Sequence, residues 1–95
     1  MINRTTLTKE LPNWTIENNT LTQHFKFINF VMAFDFMTKI AIEAEALKHH
    51  PSWTNSYNKV SISLTTHDKE EITQLDIDLA KSIDWIYNTY FNNSK

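Results

Sequence analysis

Neither glycine nor cysteine occurs anywhere in the 95 residues. Without cysteine there are no disulfides, no thiolate metal cages and no thiol nucleophile. Without glycine, the phosphate-cradling loops and dinucleotide turns that depend on bare backbone are excluded. Every tight turn must then be made by Asn, Asp, Ser or one of the two prolines. A basic excess is missing too, since nine Lys and Arg face eleven Asp and Glu for a net charge of −2. A chain that grips phosphate backbones electrostatically needs such an excess or a basic stripe, so no nucleic-acid partner is expected. The longest purely apolar run, Phe30 to Phe34, is far short of the ~20 residues that span a bilayer. No apolar stretch follows Met1 to Thr6 as it would in a secretory signal. The expectation is a cytoplasmic protein without a membrane partner.

What is present is the balance of a folded soluble chain, 41% hydrophobic and 21% charged, with six Phe, three Trp and three Tyr to fill a small core. The length predicts one domain over residues 1–95. Thr8 to Pro12 reads as a short helix ended by the proline. From Trp14 the pattern is two-fold. Trp14 and Ile16 alternate with polar residues, Asn18-Asn19 offers a turn, and Leu21, Gln23, Phe25 and Phe27 share a face opposite Thr22, His24 and Lys26. After Asn29, a candidate N-cap, the period becomes helical: Phe30, Phe34, Met37, Ala41 and Ala44 recur, flanked by Ala33, Ile40 and Leu47. So wide a stripe suits a helix packed both on its own sheet and on a partner subunit. Pro51 stops it, leaving Lys48-His49-His50 at the exit.

A second hairpin follows, with Trp53 in a short strand, a turn over Asn55 to Asn58, and Val60, Ile62 and Leu64 alternating with Ser61, Ser63 and Thr65. Thr66 to Glu71 is a polar loop. Thr73 and Asp76 form a capping-box pattern opening a last helix, with Leu75, Leu79, Ile83, Ile86, Tyr87 and Tyr90 on its inner side. The predicted fold is α+β: a four-stranded antiparallel sheet in ββαββα order, helices packed on one face.

Three histidines stand where chemistry could gather. His49 and His50 leave the long helix, and His67 follows the second hairpin, so a returning strand would bring all three to one mouth. Glu45 lies four residues before His49, one helical turn away, where a carboxylate can fix an imidazole's tautomer. Imidazoles titrate near neutrality, so a pair flanking a substrate can give and accept protons. Plainer readings stand beside this one. A histidine at a helix C-terminus also suits the macrodipole, His67 also fits an exposed loop, and His24 lies on the wet face. Glu45, His49 and His67 could also form a two-His-one-carboxylate metal centre, but the zincin arrangement of helix-spaced histidines is absent. The expectation is no metal.

The run Glu45-Ala46-Leu47-Lys48-His49-His50-Pro51, with Tyr57, His67 and Asp76 at their separations, resembles the signature of the pterin-4a-carbinolamine dehydratases, also known as dimerisation cofactors of a homeodomain factor. The likeness extends to Trp14, Leu21, Phe25 to Phe27 and Phe30 to Met37, to His49 through Val60, and to Thr65 to His67 and Asp76 to Ala80, so that it covers Leu11 to Ile86. Two features depart from the family pattern. Glu70-Glu71 stands where the loop usually carries glycines, and Lys48 stands where an acidic or polar residue is common.

The resemblance implies a four-stranded α+β fold that assembles as a homodimer or homotetramer, through the sheet edge and through the long helix around Phe34, Met37 and Ala41. It implies dehydration of 4a-hydroxytetrahydrobiopterin, or a similar pterin, to the quinonoid dihydropterin and water, without metal or cofactor. By the same resemblance the catalytic set is His49, His50, His67 and Glu45, with His49 and His67 as the acid–base pair and His50 lining their pocket and serving one stereoisomer. Glu45 tunes a histidine, while Lys48, Thr65, Thr66 and Asp68 contact the pterin. Asp76 belongs to the signature, and the capping pattern assigns it to ordering the last helix. The alternative is a non-catalytic dimeric scaffold of the coactivator type.

Overall fold

The computed structural model describes residues 3–91. Helix α1 (Arg4–Glu10) starts on Asn3, whose side chain accepts from the Thr5 amide at 2.7 Å. The expected helix at residues 8–12 therefore begins earlier, and it ends before Leu11 because a residue preceding proline avoids the helical region. Strands β1 (Thr15–Glu17) and β2 (Thr20–Lys26) form the first hairpin. Its two-residue turn places Asn18 and Asn19 at φ 52° and 59°, a conformation that asparagine tolerates better than other side chains do.

Helix α2 (Phe30–Leu47) begins where Asn29 Oδ1 accepts from the Met32 amide at 2.9 Å. Strands β3 (Ser52–Ser56) and β4 (Lys59–Leu64) form the second hairpin. The turn is tighter than the expected span of 55–58. Asn55 remains in β3, and its side-chain amide donates to the carbonyls of Tyr57 at 3.1 Å and Lys59 at 2.9 Å, closing the bend over Tyr57-Asn58. Helix α3 (Gln74–Ile86) carries the predicted Thr73/Asp76 capping box and runs into a π-helical turn, Tyr87–Phe91.

The four strands are antiparallel in the order β1-β2-β4-β3, so the two hairpins join through their second strands. This is the predicted α+β class. The pleat sorts the side chains: Leu21, Phe25, Val60, Ile62 and Leu64 are buried beneath the helices, while Thr22, His24, Lys26, Ser61 and Ser63 occupy the other face. Phe36 is wholly buried and sits amid Phe25, Phe27, Tyr87 and Phe91, with ring centroids 4.8 to 5.9 Å away. Truncating so buried a ring to alanine costs about 3–5 kcal/mol.

Ala33, Ile40 and Ala44 on α2 and Leu79, Ile83 and Ile86 on α3 face inward as expected, and single residues beside them differ. On α2 the core side is Ala33, Phe36, Ile40 and Ala44, with Met37 and Leu47 half-buried, whereas Phe30, Phe34 and Ala41 lie outside. Phe36 rather than Phe34 completes the aromatic cluster, and that fixes the roll of the helix. On α3 the inward positions are Asp76, Ile77, Leu79, Ala80, Ile83 and Ile86. Leu75 and Tyr90 are exposed instead, the first because Asp76 takes the inward place beside it, the second because the π-helical turn brings Phe91 in. Among the described residues no helix is long and apolar enough to cross a membrane.

Candidate functional site

An open cavity of about 320 Å³ lies where the C-terminus of α2, the loop after β4 and the start of α3 meet. Its wall consists of Lys48, His49, His50, Thr66, His67, Asp68 and Leu75. This volume lies at the lower end of the range for small-molecule sites.

The sequence dictates each approach. Helix α2 ends because Lys48 enters the left-handed region at φ 56°, its amide reaching back to the carbonyls of Ala44 and Glu45. Glycine usually fills that position, and a residue with a Cβ incurs about 1–2 kcal/mol there. The bend turns His49 inward, so that its side chain is only 11% exposed. Its Nε2–H donates to Asp76 Oδ1 at 2.5 Å. Asp76 is fully buried, and its second oxygen accepts from the Thr66 hydroxyl and from the Thr73 amide, both at 2.8 Å. A carboxylate buried without partners costs several kcal/mol; here three donors surround it. The arrangement leaves His49 with Nδ1 as the ring nitrogen not engaged by the carboxylate.

His67 is carried by a tight loop. Thr66 and Glu71 bridge it at its base, the Thr66 amide donating to the Glu71 carbonyl at 2.9 Å. Inside, the Glu70 amide donates to the His67 carbonyl at 3.2 Å, and Glu70 sits at φ 51°. Glu70 thus adopts the backbone conformation that glycine would normally supply, and the departure noted in the sequence is absorbed without opening the loop. The exposed imidazole of His67 makes no side-chain hydrogen bond to another described residue.

Most of the expected residues gather here: Lys48, His49, His50, Thr66, His67 and Asp68 all line the cavity. Two do not. Thr65 points away, its hydroxyl donating to the Asn19 carbonyl at 2.9 Å and so tying the exit of β4 to the first hairpin turn. Glu45 is outside the wall and engages His50 rather than His49, Oε2 to Nε2 at 2.6 Å. The reversal at Lys48 takes His49 off the helical surface where an i, i+4 partner would meet it, and brings the next imidazole back over Glu45. Both members of that pair are well exposed, 77% and 62%, so it contributes at most about 1 kcal/mol. Glu45, His49 and His67 therefore do not form the two-His-one-carboxylate set, and no metal-holding cluster of three such groups occurs among the described residues.

The residue that sequence reasoning undervalued is Asp76. It does cap α3, but the same carboxylate orients His49. The available signal was its place between the apolar inward positions of α3, where an acidic side chain needs a buried partner. Leu75, expected on the inner side of α3, forms the apolar part of the cavity wall.

The four-stranded antiparallel sheet with the helices on one face is an α+β fold that the chain shares with a solved pterin dehydratase. A solved structure described as a transcriptional coactivator/pterin dehydratase from Brucella melitensis superimposes with a TM-score of 0.82 at 36% identity, over 90% of this chain and 96% of the other. A Prochlorococcus marinus (strain NATL2A) protein is 54% identical over 78 residues, 82% of each chain. One from Synechococcus sp. (strain WH7803) is 51% identical over 81 residues, 85% of this chain and 87% of that one. Both bear the provisional name pterin-4-alpha-carbinolamine dehydratase. The sequence pattern of the family described as pterin 4 alpha carbinolamine dehydratase matches residues 2–86. The chain belongs to this family.

Proposed function

We propose that the chain, acting as one unit, dehydrates a 4a-hydroxytetrahydropterin such as 4a-hydroxytetrahydrobiopterin to the quinonoid dihydropterin and water. The observation that carries this reading is the convergence of His49 and His67, 18 positions apart in sequence, on one open cavity.

The chemistry needs two proton transfers. The C4a–O bond breaks as the hydroxyl gains a proton and leaves as water; the N5–H proton departs, and its electron pair becomes the C4a=N5 double bond. His49, with Nε2–H bound to Asp76, offers the Nδ1 lone pair as base toward N5. The ring of His67, unencumbered by other side chains, delivers the proton to the leaving hydroxyl. Lys48 and Asp68 supply polar contacts to the pterin edge, Leu75 an apolar surface for its flat ring, and His50, steadied by Glu45, closes the rim. The Thr65 hydroxyl, bonded to the Asn19 carbonyl, takes no part in binding. Formation of quinonoid dihydropterin from the carbinolamine, followed spectrophotometrically, tests the reading. His49→Ala and His67→Ala should each lower kcat by about 10²–10⁴-fold; wild-type rates in both would refute the assignment.

Assembly is the second part of the proposal. Phe30, Val31, Phe34 and Ile42 are 47 to 72% exposed along α2, and exposed apolar surface of this kind marks interaction sites. This face supports a homodimer or homotetramer built through Phe34 and Ala41, with the half-buried Met37 backing them. It equally suits the alternative, a scaffold that stabilises another protein's dimer. A folded chain that assembles but turns over no carbinolamine would favour the alternative.

A further inference from the structure

We infer that Thr66 is a positioning residue that holds the His49 and His67 imidazoles in register, its hydroxyl acting on His49 through Asp76 and its backbone on the His67 loop, rather than a substrate contact. The inference rests on the dehydratase reading for its kinetic consequence but not for its structural one.

A hydroxyl offers one donor and two acceptor positions. Thr66 Oγ1 donates to Asp76 Oδ2 at 2.8 Å, and the hydroxyl of Thr73 lies 2.7 Å from it. With the Thr66 proton given to the carboxylate, the proton between the two hydroxyls must come from Thr73. No donor is then left on Thr66 for a bound molecule, although the residue lines the cavity.

Its backbone is equally occupied. Thr66 N–H donates to the Glu71 carbonyl at 2.9 Å, and the Thr66 carbonyl accepts from Lys69 at 3.1 Å and from Glu71 at 3.4 Å. These bonds close the loop that presents His67, the next residue in the chain. One threonine thus holds the His67 loop with its backbone and the anchor of His49 with its side chain. The path runs from the His49 ring to Asp76, to Thr66, to the His67 loop, and each link is a hydrogen bond of 2.8 Å or less up to the covalent chain. A hydroxyl from α3's N-cap, Thr73, braces the middle of it. Acid and base must keep a fixed separation to act on two atoms of one ring, and misplacement by about 1 Å can lower a rate by 10²-fold.

Thr66→Val keeps the shape and removes the hydroxyl, Thr66→Ser keeps the hydroxyl, and Thr66→Ala removes it without β-branched bulk should the valine variant not fold. The expected result for Val or Ala is a fall in kcat of about 10–100-fold with KM little changed, and near recovery in Ser. The ring ¹⁵N signals of His49, which report the tautomer held by Asp76, and the backbone amide signal of His67 should both change in Val and stay in place in Ser. A rise in KM at constant kcat would overturn the inference by making Thr66 a substrate contact. So would unaltered ring and amide signals in a folded Val or Ala variant. Should the wild-type chain show no dehydratase activity while the signals change as described, the dehydratase reading fails and the positioning role stands.

Discussion

Replacing Asp76 with asparagine separates catalysis from folding, because the exchange keeps size and shape while altering one polarity. The carboxylate accepts three hydrogen bonds: from His49 Nε2 at 2.5 Å, and from the Thr66 hydroxyl and Thr73 amide at 2.8 Å each. An amide has one acceptor oxygen. Placed on the Thr66 and Thr73 side, that oxygen preserves both of those bonds and turns the NH₂ group toward His49. His49 Nε2 must then accept rather than donate, so its proton moves to Nδ1, and the lone pair proposed as the base is lost. The structural loss is the charge-assisted part of one bond, about 1–3 kcal/mol, or roughly 10 °C in Tm for a domain of this size. The catalytic loss is that of a wrong tautomer, which in the serine-protease triad amounts to about 10⁴-fold in kcat; about 10²–10⁴-fold is expected here. The assay pairs the rate of quinonoid dihydropterin formation with a thermal melt and the His49 ¹⁵N spectrum. A folded Asp76→Asn variant with the wild-type rate would exclude a tautomer-setting role for Asp76, as would a ring still protonated at Nε2.

His67→Ala removes an exposed side chain without a side-chain partner among the described residues, so Tm should be unchanged while kcat falls; a Tm drop comparable to that of His49→Ala would contradict this. Asp84, on α3, accepts from Trp14 Nε1 at 3.0 and 3.1 Å and from Gln23 Nε2 at 3.2 Å. Burial raises its carboxyl above the ordinary value of 3.8, with the Trp14 and Gln23 hydrogen bonds opposing the rise. The folded chain therefore binds this proton more tightly than the unfolded one. The associated stability is complete below the unfolded value and is lost as pH climbs through the folded one. Asp84→Asn, which retains an acceptor for Trp14, should raise Tm at neutral pH and shrink the gain on acidification; a lower neutral Tm would contradict it. Phe34→Asp places a charge on the exposed face of α2 and should reduce the assembled mass seen by light scattering, whereas an unchanged mass would remove that face from the interface.

Much of the fold was legible because alternation and capping act locally. Asn18-Asn19, Asn29 and the Thr73/Asp76 pair each mark an element boundary by their own hydrogen-bonding chemistry, and Val60, Ile62 and Leu64 show by alternation which side of β4 is dry. Helix roll was less legible. Phe34 and Phe36 are equally apolar, and only the tertiary cluster of Phe25, Phe27, Tyr87 and Phe91 decides which one turns inward. The site divides in the same way. The histidines could be placed near one mouth from the order of elements, but the pairing of Glu45 depended on a left-handed Lys48, a conformation that a lysine in sequence does not announce. Asp76 was visible as a cap; its bond to His49 spans 27 positions and exists only once α3 lies against the end of α2.

The cavity between His49 and His67 is proposed to receive a flat bicyclic pterin. A crystal structure with a 7,8-dihydropterin bound tests it most directly. The ring should be seated against Leu75, with its N5–C4a edge between the His49 and His67 imidazoles and His49 Nδ1 facing N5. A ligand bound elsewhere, or one whose N5–C4a edge points away from both imidazoles, would contradict it.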